Sequence, residues 1–221
     1  MSRVFVTTLV GVVAAALLCA GCTFKSSEPA EKEDSVPEGK VVLTERFDGP
    51  LGARFKDTSD GAYTIVDGKL RAQGARNRPL WLEQKLPENA RIDFTARSMS
   101  PAVDIKVELY GDGESYAKAA SYTATSYVLV LGGWNNSRSI IARMDEHGDD
   151  RRVRKEPAGE VGRTYAFSAV RRGNALVWYV DGEKFLDFDD PEPLRGPKHD
   201  HFAFNNWESE VFFDDLVVSE L

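Results

Sequence analysis

The chain has 221 residues, and its 28 lysine and arginine residues against 35 aspartate and glutamate residues give a formal net charge of −7. This acidic balance argues against nucleic acid or an anionic membrane surface as the main ligand, because both are bound through clustered positive charge. Both cysteines, Cys19 and Cys22, precede residue 23, so the rest of the chain has no thiol for a disulfide, a thiolate metal site or a cysteine nucleophile.

The first 21 residues have the three-part design of a secretory signal. Arg3 is their only charged residue, an apolar stretch follows over residues 4–18, and the small residues Ala20 and Gly21 precede Cys22. The apolar stretch is shorter than the ~20 residues that cross a bilayer. We therefore predict a signal peptide over residues 1–21, with an uncleaved amino-terminal anchor as the alternative.

The sequence Leu18-Cys19-Ala20-Gly21-Cys22 resembles the bacterial lipobox, in which the signal is cut before a cysteine that becomes acylated. Cys19 stands where that motif usually has leucine. The resemblance implies a lipid anchor at Cys22 that attaches the chain to a membrane of the bacterial envelope. It favours the outer membrane, because Thr23 follows the cysteine where an aspartate often retains lipoproteins at the inner membrane.

Residues 22–40 are rich in Ser, Glu, Lys and Pro and have almost no large apolar side chain. Such a segment cannot bury enough surface to order itself, so we expect a flexible tether. One folded domain is expected over residues 41–221, since a chain of this size forms a single substantial core.

Two Asp-Gly pairs predict tight hairpins, because a two-residue hairpin turn requires positive φ angles. Asp67-Gly68 separates residues 63–66 from 69–72, and Asp181-Gly182 separates 175–180 from 183–188. With residues 165–170 upstream, the second hairpin predicts a three-stranded antiparallel meander. Further strands are predicted over residues 41–47, 80–85, 90–97, 103–110, 126–132, 138–144, 201–206 and 210–219. No long window has helical periodicity, so the chain is predicted to be all-β, either a two-sheet jelly roll or a closed barrel.

Three segments carry a family resemblance: Leu43-Thr-Glu-Arg-Phe-Asp48, Trp178-Tyr-Val-Asp-Gly182 and Val211-Phe-Phe-Asp-Asp-Leu-Val-Val218. They resemble the concanavalin A-like lectin/glucanase superfamily, and within it the 3-keto-disaccharide hydrolase-like and laminin G-like domains. The resemblance implies a two-sheet antiparallel β-sandwich, a curved jelly roll, whose first and last strands lie side by side.

A search for catalytic groups gives little. The superfamily's glucanases carry Glu-x-Asp-x-x-Glu on one strand, and no segment here matches it. Glu208 and Glu210 have the coarse spacing of a glycosidase pair, but we interpret them as exposed turn charges, like Asp145 and Glu146.

Metal-binding and polyanion-binding motifs are equally weak. His199 and His201 would share one face of an extended chain and suit a metal, but no third ligand is identifiable and a surface loop is favoured. The basic run Arg151–Lys155 is interpreted as solvated surface. We predict neither a metal nor a cofactor.

Two tracts that combine tryptophan with asparagine are the best candidate for a ligand site. Sugars present apolar C–H faces and many hydroxyls, so their sites need aromatic platforms beside short planar donors and acceptors. If the fold brings the two tracts together, the site would contain Trp134, Asn136, Arg138, Arg143, Asn205 and Trp207. The alternative is structural, since asparagine and glycine mark turns and a tryptophan at a sandwich rim is commonly core.

Two functions are consistent with these patterns. The first is a noncatalytic, membrane-anchored envelope lipoprotein whose jelly roll binds a carbohydrate or another surface partner. The second is a glycoside-processing hydrolase of the 3-keto-disaccharide type, which the resemblance implies but no acid/base pair supports. A deep pocket with two carboxyl groups, or with one carboxyl group near a histidine or a metal, would favour the enzyme, and a shallow aromatic groove would favour binding.

Overall fold

The computed structural model describes Met1 and residues 35–119 and 122–221. The predicted signal peptide, Cys22 and most of the predicted tether therefore lie outside the described residues. In the described part the strands are β1 Lys40–Glu45, β2 Phe55–Asp57, β3 Tyr63–Val66, β4 Lys69–Gln73, β5 Leu80–Leu82, β6 Ala90–Ser98, β7 Ile105–Gly111, β8 Tyr127–Gly132, β9 Arg138–Arg143, β10 Arg152–Arg154, β11 Thr164–Arg172, β12 Ala175–Val180, β13 Glu183–Asp189, β14 His201–Asn205 and β15 Glu210–Glu220.

Helix in these ranges is limited to a 3-10 turn at Gly52–Arg54 and a four-residue turn at Gly133–Asn136. In the second turn Trp134 and Asn135 have left-handed backbone angles. Among the described residues there is no helix with the length and apolar character needed to cross a membrane.

The two Asp-Gly hairpins form as predicted. Asp67 and Gly68 have φ angles of 51° and 70°, and Asp181 and Gly182 have φ angles of 53° and 81°, which is the left-handed pair that a two-residue turn needs. Strands β11, β12 and β13 are consecutive neighbours in one sheet, so the predicted meander is confirmed.

An eight-stranded antiparallel sheet has the order β13-β12-β11-β6-β15-β4-β3, and β1 also pairs with β15. The β1–β15 pairing aligns Lys40 with Glu220, so the first and last strands lie side by side as the resemblance implies. β1 begins one residue before the predicted boundary. Just upstream, the carbonyl of Pro37 accepts a hydrogen bond from Arg91 Nη1 at 3.1 Å.

A seven-stranded antiparallel sheet has the order β10-β9-β8-β7-β14-β5-β2. Its two edge strands, β2 and β10, are absent from the strands that the sequence predicts. Each has three residues, and Arg152 and Arg154 make β10 strongly charged. Short, charged edge strands limit edge-to-edge aggregation, and their weak hydrophobic alternation explains why the pattern does not reveal them.

The main core lies between the two sheets. Phe94 of β6 and Phe167 of β11 stack with ring centroids 4.9 Å apart, and Phe204 of β14 contacts Phe213 of β15 at 4.6 Å. Both pairs are buried, and the second joins one sheet to the other. The structure is an all-β, two-sheet antiparallel sandwich, as predicted.

The outer face of the seven-stranded sheet carries a second, smaller apolar cluster. Its buried members are Ala124, Val128, Val130, Ile140 and Ala142, and Tyr122 and Trp134 pack against them. Lys106 pairs with Val130 and Glu108 pairs with Val128 across β7 and β8, so both charged side chains share this outer face. Other parts of the chain therefore cover this face, and the charged side chains of Lys106 and Glu108 are buried beneath them.

Candidate functional site

A cleft of about 420 Å³ opens over the outer face of the seven-stranded sheet. Trp134 and Trp207 both line it, so the fold brings the two predicted tracts together. We call it the Trp207 cleft. Its main polar lining residues are Asn77, Asp104, Lys106, Glu146, Glu208 and Ser209.

Trp207 is the exposed aromatic group of the cleft, with 40% of its surface accessible. Its backbone is fixed from two sides: the N–H donates to Asp104 Oδ2 at 2.6 Å, and the carbonyl accepts from the Arg76 N–H at 2.9 Å. The neighbouring Asn206 is fully buried and its Oδ1 accepts the N–H of Ala75 at 3.0 Å. A backbone held this firmly positions the indole at the cleft, so a ligand that stacks on it meets a largely preformed loop.

Trp134 forms a wall of the cleft and is less free to stack. Its φ of 52° is unusual for a bulky residue and marks a locally strained backbone. The guanidinium carbons of Arg138 and Arg151 lie 5.5 Å and 5.7 Å from the centre of its ring, and His147 contacts it edge-on. These cation–π contacts fix the indole in place.

The floor of the cleft is a buried ionic cluster. Lys106 Nζ lies 2.8 Å from Glu146 Oε2 and donates to Asn77 Oδ1, also at 2.8 Å. Burial disfavours the charged ammonium, but the Glu146 and Asp104 carboxylates outweigh that effect and raise the pKa of Lys106. Burial likewise opposes ionisation of Glu146, yet Lys106 lowers its pKa. Both groups are therefore charged at neutral pH.

Asp104 and Glu108 lie two residues before and two residues after Lys106 on the chain. Their pKa values are raised, whereas that of Glu146 is lowered. Burial raises the pKa of Asp104, although Lys106 and the Trp207 N–H partly offset it. Burial also raises the pKa of Glu108 to about 7. Glu108 is fully enclosed and accepts hydrogen bonds from Ser126 Oγ at 2.6 Å and Asn205 Nδ2 at 2.7 Å.

Two further predicted site residues lie next to the cleft. Arg138 shares the outer face of β9 with Ile140 and reaches the cleft only through its contact with the Trp134 ring. Asn205 is fully buried beneath the cleft. Its side-chain amide donates to Glu108 and does not line the cleft.

The structure does not bring Asn136 or Arg143 to the cleft. The Asn136 amide is used by the backbone of Gly159, with Nδ2 donating at 2.7 Å and Oδ1 accepting at 2.8 Å. Arg143 shares the strand face of Ile141, whose side chain belongs to the main core, and it pairs with Asp190 at 3.1 Å. Because successive strand residues point to opposite faces, Arg143 lies on the side away from Ile140 and Ala142.

The structure does not bring the other candidate charged residues together into a site. Glu208 pairs with Arg76 and Glu210 with Arg71, so the two carboxylates do not act as a facing pair. His199 Nδ1 is engaged by the Thr125 carbonyl at 2.8 Å. Over residues 35–119 and 122–221, no group of three His, Cys, Asp or Glu side chains is arranged to bind a metal.

Glu146 corrects one interpretation of the sequence. The turn around Asp145 exists, since the Gly148 N–H donates to the Asp145 carbonyl at 2.9 Å. Glu146, however, points into the cleft, and only 14% of its side chain is exposed. The sequence pattern of the turn does not indicate that Glu146 pairs with Lys106, which lies 40 residues earlier.

The predicted site misses the polar cluster around Lys106, which consists of Asn77, Asp104, Lys106 and Glu146. A partial signal exists in β7, where Lys106 and Glu108 alternate with Ile105, Val107 and Leu109. That alternation predicts a strand with one polar face. It does not reveal that this face is covered, which depends on loops distant in sequence.

Comparisons with known proteins find a distant sequence relative and solved structures of similar fold. No protein-family model matches the sequence. The extracellular exo-α-L-arabinofuranosidase of Streptomyces chartreusis is 23% identical over 158 residues, which are 72% of this chain and 18% of that enzyme. The chain thus spans less than a fifth of the length of the curated relative it matches.

Solved structures share the architecture. The carbohydrate-binding module CBM66 from Bacillus subtilis has a TM-score of 0.58 at 10% identity, covering 76% of this chain and 96% of its own. The Bacillus licheniformis β-glucanase has a TM-score of 0.56 at 9% identity, covering 84% of this chain and 100% of its own. At these identities the likeness is one of fold. The chain has the two-sheet jelly-roll fold of the concanavalin A-like lectins and glucanases.

Proposed function

We propose that the chain is a glycan-binding protein and that the ligand occupies the Trp207 cleft. The observation that carries the proposal is the convergence of the two tryptophan tracts on one cleft with a polar floor. Trp207 offers an exposed ring on a firmly held backbone for the apolar face of a sugar. Asn77, Lys106 and Glu146 line the same cleft and supply donors and acceptors for hydroxyl groups.

The fold supports the proposal without assigning a ligand. The named neighbours include a carbohydrate-binding module, a glucanase and an arabinofuranosidase, which have in common that each name refers to carbohydrate. A shared fold does not transfer a specific activity, so the sugar must be identified by experiment.

A glycan array probed with wild type and with Trp207→Ala tests the proposal. We expect wild type to bind at least one glycan, and Trp207→Ala to lose at least about tenfold in affinity, equivalent to about 1.4 kcal/mol. The variant should stay folded because the indole is partly exposed. Tyr116→Ala removes a ring of similar exposure that does not line the cleft, and it should bind like wild type. Normal binding by Trp207→Ala would contradict the proposal.

A glycoside hydrolase of the 3-keto-disaccharide type is the second candidate, favoured by one observation. The carboxyl groups of Asp104 and Glu146 both line the cleft, and their environments move their pKa values in opposite directions. Such a divergence is what a general acid and its partner carboxylate require. Both groups are already engaged, however, Asp104 by the Trp207 N–H and Glu146 by Lys106, and this favours binding over catalysis.

A reducing-sugar assay separates the two candidates. If the chain is an enzyme, wild type releases reducing ends from a bound glycan, and Asp104→Asn and Glu146→Gln each abolish the release. We expect no release by wild type. Sugar release that depends on both carboxyl groups would establish the hydrolase instead.

We further propose that Cys22 anchors the domain to a membrane of the bacterial envelope, with the outer membrane favoured. The lipobox-like sequence that ends at Cys22 supports this assignment. A lipid anchor would place the cleft at a membrane surface, where a weak ligand contact gains from the high local concentration. Membrane fractionation of wild type and Cys22→Ser tests it.

A further inference from the structure

A second depression adjoins the Trp207 cleft and shares two of its lining residues. Its volume is about 930 Å³, and Trp207 and Glu208 line both depressions. Its other principal polar residues are Asp60, Gln73, Arg76, Arg78 and Lys118. Trp207 therefore borders two adjoining depressions and is not confined to a single one.

One short segment supplies side chains to both spaces. Asn77 lines the Trp207 cleft and binds Lys106, whereas its neighbours Arg76 and Arg78 line the second depression. The segment is fixed to the Trp207 loop, since Arg76 N–H donates to the Trp207 carbonyl and Asn77 N–H donates to the Asn206 carbonyl at 3.2 Å. The two depressions are thus held in a constant relation by backbone hydrogen bonds.

The second depression is lined by planar charged groups in exposed pairs. Arg76 pairs with Glu208 at 2.9 Å and Arg78 pairs with Asp60, also at 2.9 Å. Each pair is formed through one nitrogen and one oxygen of groups that are exposed, so their other donors and acceptors remain available to a ligand. Guanidinium and carboxylate groups can each bind two neighbouring hydroxyls of a sugar ring.

From this arrangement we propose that the ligand is an oligosaccharide chain that crosses Trp207, with sugar units in both depressions. The inference rests on the proposed function and adds the length and path of the ligand. A terminal sugar confined to the Trp207 cleft would leave Arg76 and Arg78 without a role in binding. A chain that crosses the indole gains contacts on both sides of one stacking platform.

Affinity as a function of ligand length tests the inference. The full-length chain is titrated by calorimetry with two ladders, arabino-oligosaccharides and β-1,3-gluco-oligosaccharides, each from one to six units. We expect the hexamer of one ladder to bind about tenfold more tightly than its dimer. Arg78→Ala should reduce this hexamer-to-dimer ratio to about one. Arg54→Ala removes another exposed arginine from an ion pair, with Glu45, and should keep the ratio of wild type.

The outcomes distinguish the inference from the proposed function. Equal affinity for dimer and hexamer, or a wild-type ratio in Arg78→Ala, overturns the chain-crossing ligand while leaving a glycan site at Trp207. Binding of neither ladder by wild type also overturns the chain-crossing ligand, and the glycan array then decides separately whether the Trp207 cleft binds a sugar. Thermal melting of each variant confirms that the compared proteins are folded.

Discussion

The carboxyl group of Glu108 gives the sharpest prediction for stability. It is fully buried on β7, and burial raises its pKa from 4.5 to about 7, although Ser126, Asn205 and Lys106 partly offset the effect. Glu108→Gln keeps the shape of the side chain and an acceptor for Asn205, and it removes the ionisable group. We expect this variant to be more stable than wild type at alkaline pH.

The sign of the change in stability with pH follows from proton binding to Glu108. Between pH 4.5 and about 7 the folded state keeps a proton on Glu108 that the unfolded chain has released, so wild type loses stability as the pH rises. Each pKa unit corresponds to about 1.4 kcal/mol, so the full loss is about 3 kcal/mol and is complete just above pH 7. Below pH 4.5 the group is protonated in both states and contributes no pH dependence.

Urea unfolding at pH 5 and pH 8 measures the effect. The stability of Glu108→Gln relative to wild type should increase by about 2 to 3 kcal/mol between the two pH values. Glu183→Gln, which changes an exposed carboxyl on β13, should show no comparable increase. A relative stability of Glu108→Gln that stays constant within about 0.5 kcal/mol would refute the reasoning.

Three other predictions concern packing, anchoring and the tether. Gly111→Ala should destabilise the domain by about 1 to 3 kcal/mol in urea unfolding, because a Cβ there overlaps the buried Trp81 ring, whereas Gly49→Ala meets no atom within 4 Å and should be neutral. Cys22→Ser should leave an uncleaved or mislocalised precursor, and a variant that fractionates and migrates like wild type would disprove the lipid anchor. Deletion of residues 26–38 removes the hydrogen bond that Arg91 donates to the Pro37 carbonyl and should shift the melting temperature by less than about 4 °C.

The fold is largely readable from the sequence because its signals are local. The Asp-Gly turns at 67–68 and 181–182 determine hairpin partners within a few residues. The face of Arg143 was also predictable: Arg138 and Arg143 are an odd number of positions apart on β9, so one strand cannot present both to the same site. The rule predicts that at most one of these two arginines lies in the site.

The floor of the cleft could not be predicted because its contacts are long-range. Asn77, Lys106 and Glu146 come from three loops or strands separated by at least 29 residues. The burial of each polar side chain is compensated by its contacts with the other two. From sequence alone, Glu146 is one more charge in a turn. A buried ion pair leaves no periodic pattern, since its partners are matched by topology and not by spacing.

The backbone bonds of Trp207 couple ligand binding to the folding of the whole domain. Trp207 depends on Asp104, 103 residues earlier in the chain, and on Arg76, so the platform exists only while distant segments are docked. A ligand of this site binds the native state alone. At a hundred times its dissociation constant it would stabilise that state by about 2.7 kcal/mol. At about 2 to 4 °C per kcal/mol, the melting temperature would rise by roughly 5 to 10 °C, which makes thermal shift a direct screen for the unidentified sugar.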